Sequence, residues 1–153
     1  MIDHHFARLV KLLAQRRARV GAAESLTGGL FGYLLTREEG SGDVFRGSLV
    51  TYQTQTKRDL LGVAGPVISA ATAETMAGSA LKQLAADIAV GLTGVAGPDT
   101  QEGKPVGTVF IAAASADDVL SREFHFEGNP DEIRHQAANQ AAALAVELLE
   151  SHD

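Results

Sequence analysis

The stretch RVGAAESLTGGLFGYLLT (19–36) changes its pattern halfway. Arg19 to Ala23 is a short apolar run that reads as a strand, and Thr27 to about Thr36 reads as a helix rich in small residues. Between them stands Ser25, preceded by Glu24 and followed by Thr27, Gly28 and Gly29. A strand feeding a helix through such a turn is the opening unit of a layered α/β domain. The turn allows two readings of Ser25. It is a helix N-cap, with the glycines serving helix packing, or it is a nucleophile facing backbone N–H groups able to hold a developing oxyanion. In the second reading Gly28 and Gly29 let a substrate approach the backbone closely.

Further along the chain the same alternation continues. Residues 3–17 predict a helix, with Phe6, Leu9, Val10 and Leu13 on one face. REEGSGD (37–43) predicts a loop, Phe45 to Tyr52 a strand, and Thr54 to Leu61 a short helix with Thr54 as N-cap and Gly62 just past its end. Ser69 caps a second helix to about Leu84, and IAVGLTG (88–94) is an apolar strand ending in a glycine-rich loop. GTVFIAAAS (107–115) and LSREFHFEG (120–128) read as adjacent strands joined by an Asp-Asp turn. The last helix is signed by Asn129 as N-cap, Pro130 at the first position and Glu132 completing a capping box, with Ile133, Ala137, Leu144 and Leu148 on one face. The fold class expected is a three-layer α/β/α sandwich with a mixed sheet, as one domain over 1–153 with no internal repeat and no linker.

Composition narrows the function classes. At 153 residues with 45% apolar and 21% charged residues, the chain has the profile of a globular protein with a real core. Its net charge of −6 argues against binding a nucleic-acid backbone; the cluster Arg16, Arg17 and Arg19 reads as a solvated helix end. The absence of cysteine removes disulfides, thiolate catalysis and cysteine-ligated metals. No run approaches the roughly 20 apolar residues of a membrane span, and the amphipathic start lacks the signature of a signal peptide, so a cytoplasmic chain is expected.

In open α/β sheets ligands bind beyond the carboxyl ends of strands. Three polar clusters fall there: Glu24 to Gly29, Tyr52 to Lys57, and Leu92 to Asp99. Lys57 falls in the first turn of a helix, where the dipole disfavours a cation, and partial burial would lower its pKa. A lysine so placed can accept the proton of a serine, with Tyr52 orienting the pair or relaying a proton; the plainer readings are a surface lysine and a rim aromatic. Thr93 and the backbone around Gly94 and Gly97 suit phosphate or carboxylate oxygens. Arg134, in the first turn of the last helix, gains nothing from the dipole, so an anionic partner, a salt bridge or simple solvation must account for it.

Two familiar motifs fail. Residues 97–105, GPDTQEGKP, imitate a Walker A loop, but five residues separate the glycines and proline follows the lysine. His4, His5, His125, His135 and His152 show no metal-ligand spacing, and His125 is expected to face solvent.

Taken together, AESLTGG (23–29), GSLVTYQTQTKRDLLGV (47–63), GLTGVAGPD (91–99) followed by KPVGTVFIA (104–112), and more weakly FEGNPDEIRHQAANQA (126–141) resemble the C-terminal domain of the CinA family, in order and over nearly the whole chain. Stand-alone members are nicotinamide-nucleotide amidases. The resemblance implies hydrolysis of nicotinamide mononucleotide to nicotinic acid mononucleotide and ammonia, with no metal and no cofactor. It implies Ser25 as nucleophile, Lys57 as general base and Tyr52 as supporting residue. Substrate contacts would come from Thr27, Gly28, Gly29, Thr93, Gly94, Gly97 and Arg134. The alternative is a paralogue that keeps the pocket only to bind a nucleotide or another protein. Two segments depart from the family pattern, 64–69 and 98–104, and the pocket wall is expected to differ there. The expected partner is a small nucleotide, with neither nucleic acid nor membrane; the small-residue helices 70–81 and 137–145 could form a homo-oligomer interface or pack the sheet.

Overall fold

A computed structural model describes residues 4–151. In chain order its elements are α1 (His5–Arg16), β1 (Val20–Glu24), α2 (Leu30–Thr36), α3 (Ser41–Val44), β2 (Phe45–Val50) and α4 (Thr54–Leu61), then α5 (Ala70–Gln83), β3 (Ile88–Gly94), β4 (Thr108–Ser115), β5 (Val119–His125) and α6 (Pro130–Glu150). The strands form one sheet in the order β2-β1-β3-β4-β5. β1 runs parallel to β2 and β3, whereas β4 and β5 add antiparallel. Helices α1, α2 and α6 cover one face and α4 and α5 the other, so the sandwich is the three-layer α/β/α arrangement with a mixed sheet.

The layering follows from strand alternation. Ile88, Val90 and Leu92 of β3, with Val109, Ile111 and Ala113 of β4, enter the core beneath α1, α2 and α6. Their alternates Ala89, Phe110, Ala112 and Ala114 meet α5. That second face is thin. A Cβ added at Gly91 would stand 2.3 Å from the carbonyl oxygen of Ala73 and 2.7 Å from the nitrogen of Ala77, so α5 lies directly on the β3 backbone. The small residues of α5 (Ala73, Ala77, Ala80) and of α6 (Ala137, Ala138, Ala141, Ala142, Ala145) are buried in these two layers. In this chain they pack the sheet.

The expected caps of α5 and α6 form: Ser69 Oγ accepts from Thr72 N at 3.1 Å, and Asn129 and Glu132 make the reciprocal capping box. Elsewhere the structure corrects the reading. Helix α2 begins at Leu30 and not at Thr27, because Gly28 and Gly29 take left-handed φ of +60° and +107° and hold the chain in a turn. The expected loop 37–43 contains the start of the one-turn helix α3. Strand β2 ends at Val50, and the N-cap of α4 is Gln53, not Thr54. Asp3, the expected first residue of α1, and His152 lie outside the described residues. Among those described, no helix is long and apolar enough to cross a membrane.

Candidate active site

The three parallel strands end at one edge of the sheet, at Glu24, Val50 and Gly94. Because β2 lies on one side of β1 and β3 on the other, the connections that leave these strands diverge and open a crevice. A solvent-open cavity of ≈220 Å³ occupies it. Its wall takes Ser25 and Leu26 from the turn after β1, Tyr52 and Lys57 from around the start of α4, Ile68, and the run Gly94 to Gln101 after β3. All three polar clusters therefore reach the same cavity.

Ser25 is not the N-cap of α2. Gly29 holds that position, with no capping side chain of its own, and Ser25 instead closes a turn by accepting from Gly28 N at 3.0 Å through its carbonyl. The cap comes from Glu24. This fully buried carboxylate accepts from the N–H groups of Phe31 and Gly32, at 2.9 and 3.1 Å, and from the hydroxyl of Thr27 at 2.7 Å. One side chain on the strand thus holds both the turn and the helix that follows, fixing Ser25 between them. A negative charge is well placed at a helix N-terminus. Among the described residues the N–H groups of Leu26 and Thr27, just after Ser25, have no acceptor.

Lys57 is buried, at 2% exposure, and points inward one turn before Leu61, which is also buried. Its Nζ donates to the backbone carbonyl of Tyr52 at 2.8 Å. Burial holds its amine below the ordinary lysine value, and the negative charge of Glu102 draws it partly back up. The contribution of Tyr52 to Lys57 in this structure is thus its carbonyl oxygen, while the residue itself is 66% exposed at the cavity rim. Among the described residues no hydrogen bond joins Ser25 Oγ to Lys57 Nζ.

The remaining expected residues divide into liners and supports. Gly94 and Gly97 line the cavity; a Cβ at Gly94 would meet Thr108 O at 2.6 Å. Thr27 is turned to Glu24, and Gly28 and Gly29 shape the turn. Thr93 is fully buried and donates its hydroxyl to Val67 O at 2.7 Å. Arg134 Nε donates to Leu26 O at 3.1 Å, while its guanidinium stands 3.9 Å from Asp131. Arg134 is the fifth residue of α6, one past the expected first turn, and the partner that its place near the helix N-terminus called for is the carbonyl just after Ser25, together with that carboxylate. His125 faces solvent beside Glu123.

Sequence reading passed over two residues: Glu24 as the cap, and Glu102. The Glu102 carboxylate accepts from Val67 N and Ile68 N at 2.9 and 2.8 Å, tying segment 98–104 to segment 64–69.

With this geometry in view, comparison with known proteins gives one family. The model of the CinA C-terminal domain matches residues 3–149. A relative from Oceanobacillus iheyensis, described as a competence-damage inducible protein, is 40% identical over 86% of this chain, and the match covers 33% of that relative. The chain thus spans about a third of the length of the curated relatives it matches. Among solved structures, a competence-damaged protein (CinA) superfamily protein from Klebsiella pneumoniae superposes with a TM-score of 0.93 at 28% identity, covering 99% of each chain. The competence/damage inducible protein CihA from Agrobacterium tumefaciens reaches 0.89 at 34% identity, covering 95% of this chain and 94% of its own. The chain belongs to the CinA C-terminal domain family.

Proposed function

We propose that this chain is an amidohydrolase that converts nicotinamide mononucleotide to nicotinic acid mononucleotide and ammonia. The observation that carries the reading is a buried lysine, its amine held below the ordinary value, on the wall of the same small cavity as a serine in a tight strand-to-helix turn. A lysine kept only for binding an anion would be better left charged; one biased toward neutrality is suited to accept a proton.

In this scheme Lys57 Nζ takes the proton of Ser25 Oγ as the oxygen attacks the carboxamide carbon. The N–H groups of Leu26 and Thr27 face the developing oxyanion. Collapse of the tetrahedral intermediate expels ammonia, with the proton returned by Lys57, and leaves an ester on Ser25. Water, giving its proton to Lys57, hydrolyses that ester to the carboxylate and restores the serine. The pyridinium charge of the substrate withdraws electrons from the amide and eases the first attack. Tyr52 O holds the amine between steps, and the rim position of its ring suits contact with the nucleotide.

The test is ammonia release from nicotinamide mononucleotide, without added metal, by the wild type and by Ser25→Ala. Turnover by the wild type alone supports the amidase and its nucleophile together. Binding of the mononucleotide, read by thermal shift, without ammonia from either protein would replace this reading with a binding-only module. Full activity in Ser25→Ala would remove the covalent route.

A further inference from the structure

We propose that Glu102 is a positioning residue whose carboxylate latches the 98–104 loop onto the 64–69 segment and thereby sets the cavity wall beside Lys57. Its catalytic consequence rests on the amidase reading above; the latch itself does not.

The segment between α4 and α5 has no strand or helix of its own, and side chains hold its backbone. Arg58 donates to Val63 O and Gly65 O, Ser69 and Thr72 donate to Pro66 O, and Thr93 donates to Val67 O. These ties all act on carbonyls. The consecutive N–H groups of Val67 and Ile68 are taken by the two oxygens of Glu102, one each. That pairing joins two stretches of the cavity wall, because Ile68 and Gln101, the neighbour of Glu102, both line it.

Two further facts favour a built feature over a chance contact. Glu102 has a left-handed φ of +54°, which residues other than glycine seldom adopt and which persists where the surroundings enforce it. The surrounding turn is tightened by Lys104 N donating to Gln101 O at 2.8 Å. Behind the latch lies a second, wider cleft of ≈560 Å³, lined by Arg58, Pro66, Ser69 and Lys104. Ile68 and Glu102 form part of its wall, and Ile68 also faces the first cavity. The partition between the clefts is therefore about one side chain thick at Ile68, and it is pinned through the bond to Glu102. The latch also places a carboxylate whose negative charge acts on the Lys57 amine against the effect of burial; of the other polar groups on this wall, Tyr52 meets the amine through its carbonyl and Asp99 lines the same cavity.

The experiment compares Glu102→Ala and Glu102→Gln with wild type in the whole chain. Amide hydrogen exchange over 65–70 reports the latch without any substrate. Loss of a hydrogen bond to a charged group is expected to speed exchange at Val67 and Ile68 about tenfold, with β3 unchanged. Ammonia release from nicotinamide mononucleotide then reports its consequence. KM is expected to rise about tenfold in Glu102→Ala, with kcat at its plateau changed less than about twofold. The rising limb of the pH profile is expected to move to lower pH in both variants, because the charge that favours protonated Lys57 is gone. A merely structural glutamate would leave that limb where it is. Unchanged exchange at 65–70 would overturn the latch. Faster exchange with unchanged KM and pH limb would overturn its role at the site. If wild type releases no ammonia, the amidase reading fails while the exchange measurement still decides the latch. Should Glu102→Ala not fold, Glu102→Gln, which keeps an acceptor for one of the two N–H groups, carries both measurements.

Discussion

Lys57→Met is expected to abolish turnover and at the same time make the protein more stable. The amine sits at a residue 2% exposed and, among the described residues, has one hydrogen bond, to Tyr52 O at 2.8 Å. Taking an ion out of water costs several kcal/mol, and one charge-assisted bond returns about 1.5–3 kcal/mol of that. Methionine keeps the length and apolar stem, and the Tyr52 carbonyl, near the rim, can turn to water. The net gain is about 1–2 kcal/mol, which for a chain of this size raises Tm by about 2–8 °C. The sign with pH follows from the same burial. Where the lysine is protonated in both states, the folded protein bears the whole penalty. As pH climbs from the lowered folded value to the ordinary one, the unfolded chain holds more protons than the folded one, so wild-type stability rises relative to the variant. The advantage of Lys57→Met is thus full below the lowered folded value and fades as pH climbs from there to the ordinary lysine value. Urea unfolding of both proteins across pH measures it. A variant less stable than wild type by more than about 1 kcal/mol at neutral pH, or a difference flat into alkali, would refute a buried, penalised amine.

Other outcomes follow from residues that shape the site from behind. Glu24→Ala leaves two buried N–H groups at the start of α2 and the Thr27 hydroxyl without their acceptor. It is expected to cost about 3 kcal/mol in urea unfolding, and a loss below about 1 kcal/mol would mean the cap is replaced by water. Gly91→Ala would drive a methyl group into the backbone of α5 and is expected to cost about 3 kcal/mol. Gly78→Ala, in the same helix but with open space at its Cβ, should instead add about 0.5–1 kcal/mol. The opposite order in a thermal melt would contradict the close contact of α5 with β3.

What was legible in the sequence is what local rules can reach. Asn129, Pro130 and Glu132 announce α6 because the capping box closes within one turn. The apolar runs in 88–94 and 107–115 announce strands, and the polar clusters after the strands come together because parallel strands present their carboxyl ends on one side. Glu24 escaped the same rules. Its N–H partners lie seven and eight residues downstream, beyond the reach of an i, i+3 cap, and two glycines in left-handed conformations absorb the difference. That is also why α2 starts three residues later than its apolar pattern suggests. Glu102 was further out of reach, since Val67 and Ile68 are 35 and 34 residues away and nothing local marks the pairing.

The local conflicts that remain in the sequence nonetheless fall around the cavity. A lysine sits in the first turn of a helix, a glutamate is buried at a strand end with no cation beside it in sequence, and an arginine stands near the N-terminus of α6. Each conflict is resolved by a specific partner in the structure: Lys57 by Tyr52 O, Glu24 by the start of α2, Arg134 by Leu26 O. Two of those three resolutions hold the turn that carries Ser25, and the third holds the base proposed to serve it. Residues that violate local preference concentrate where a fold gives up local consistency for a site. Here the violations gather around one cavity from β1, α4 and α6, three separate parts of the chain.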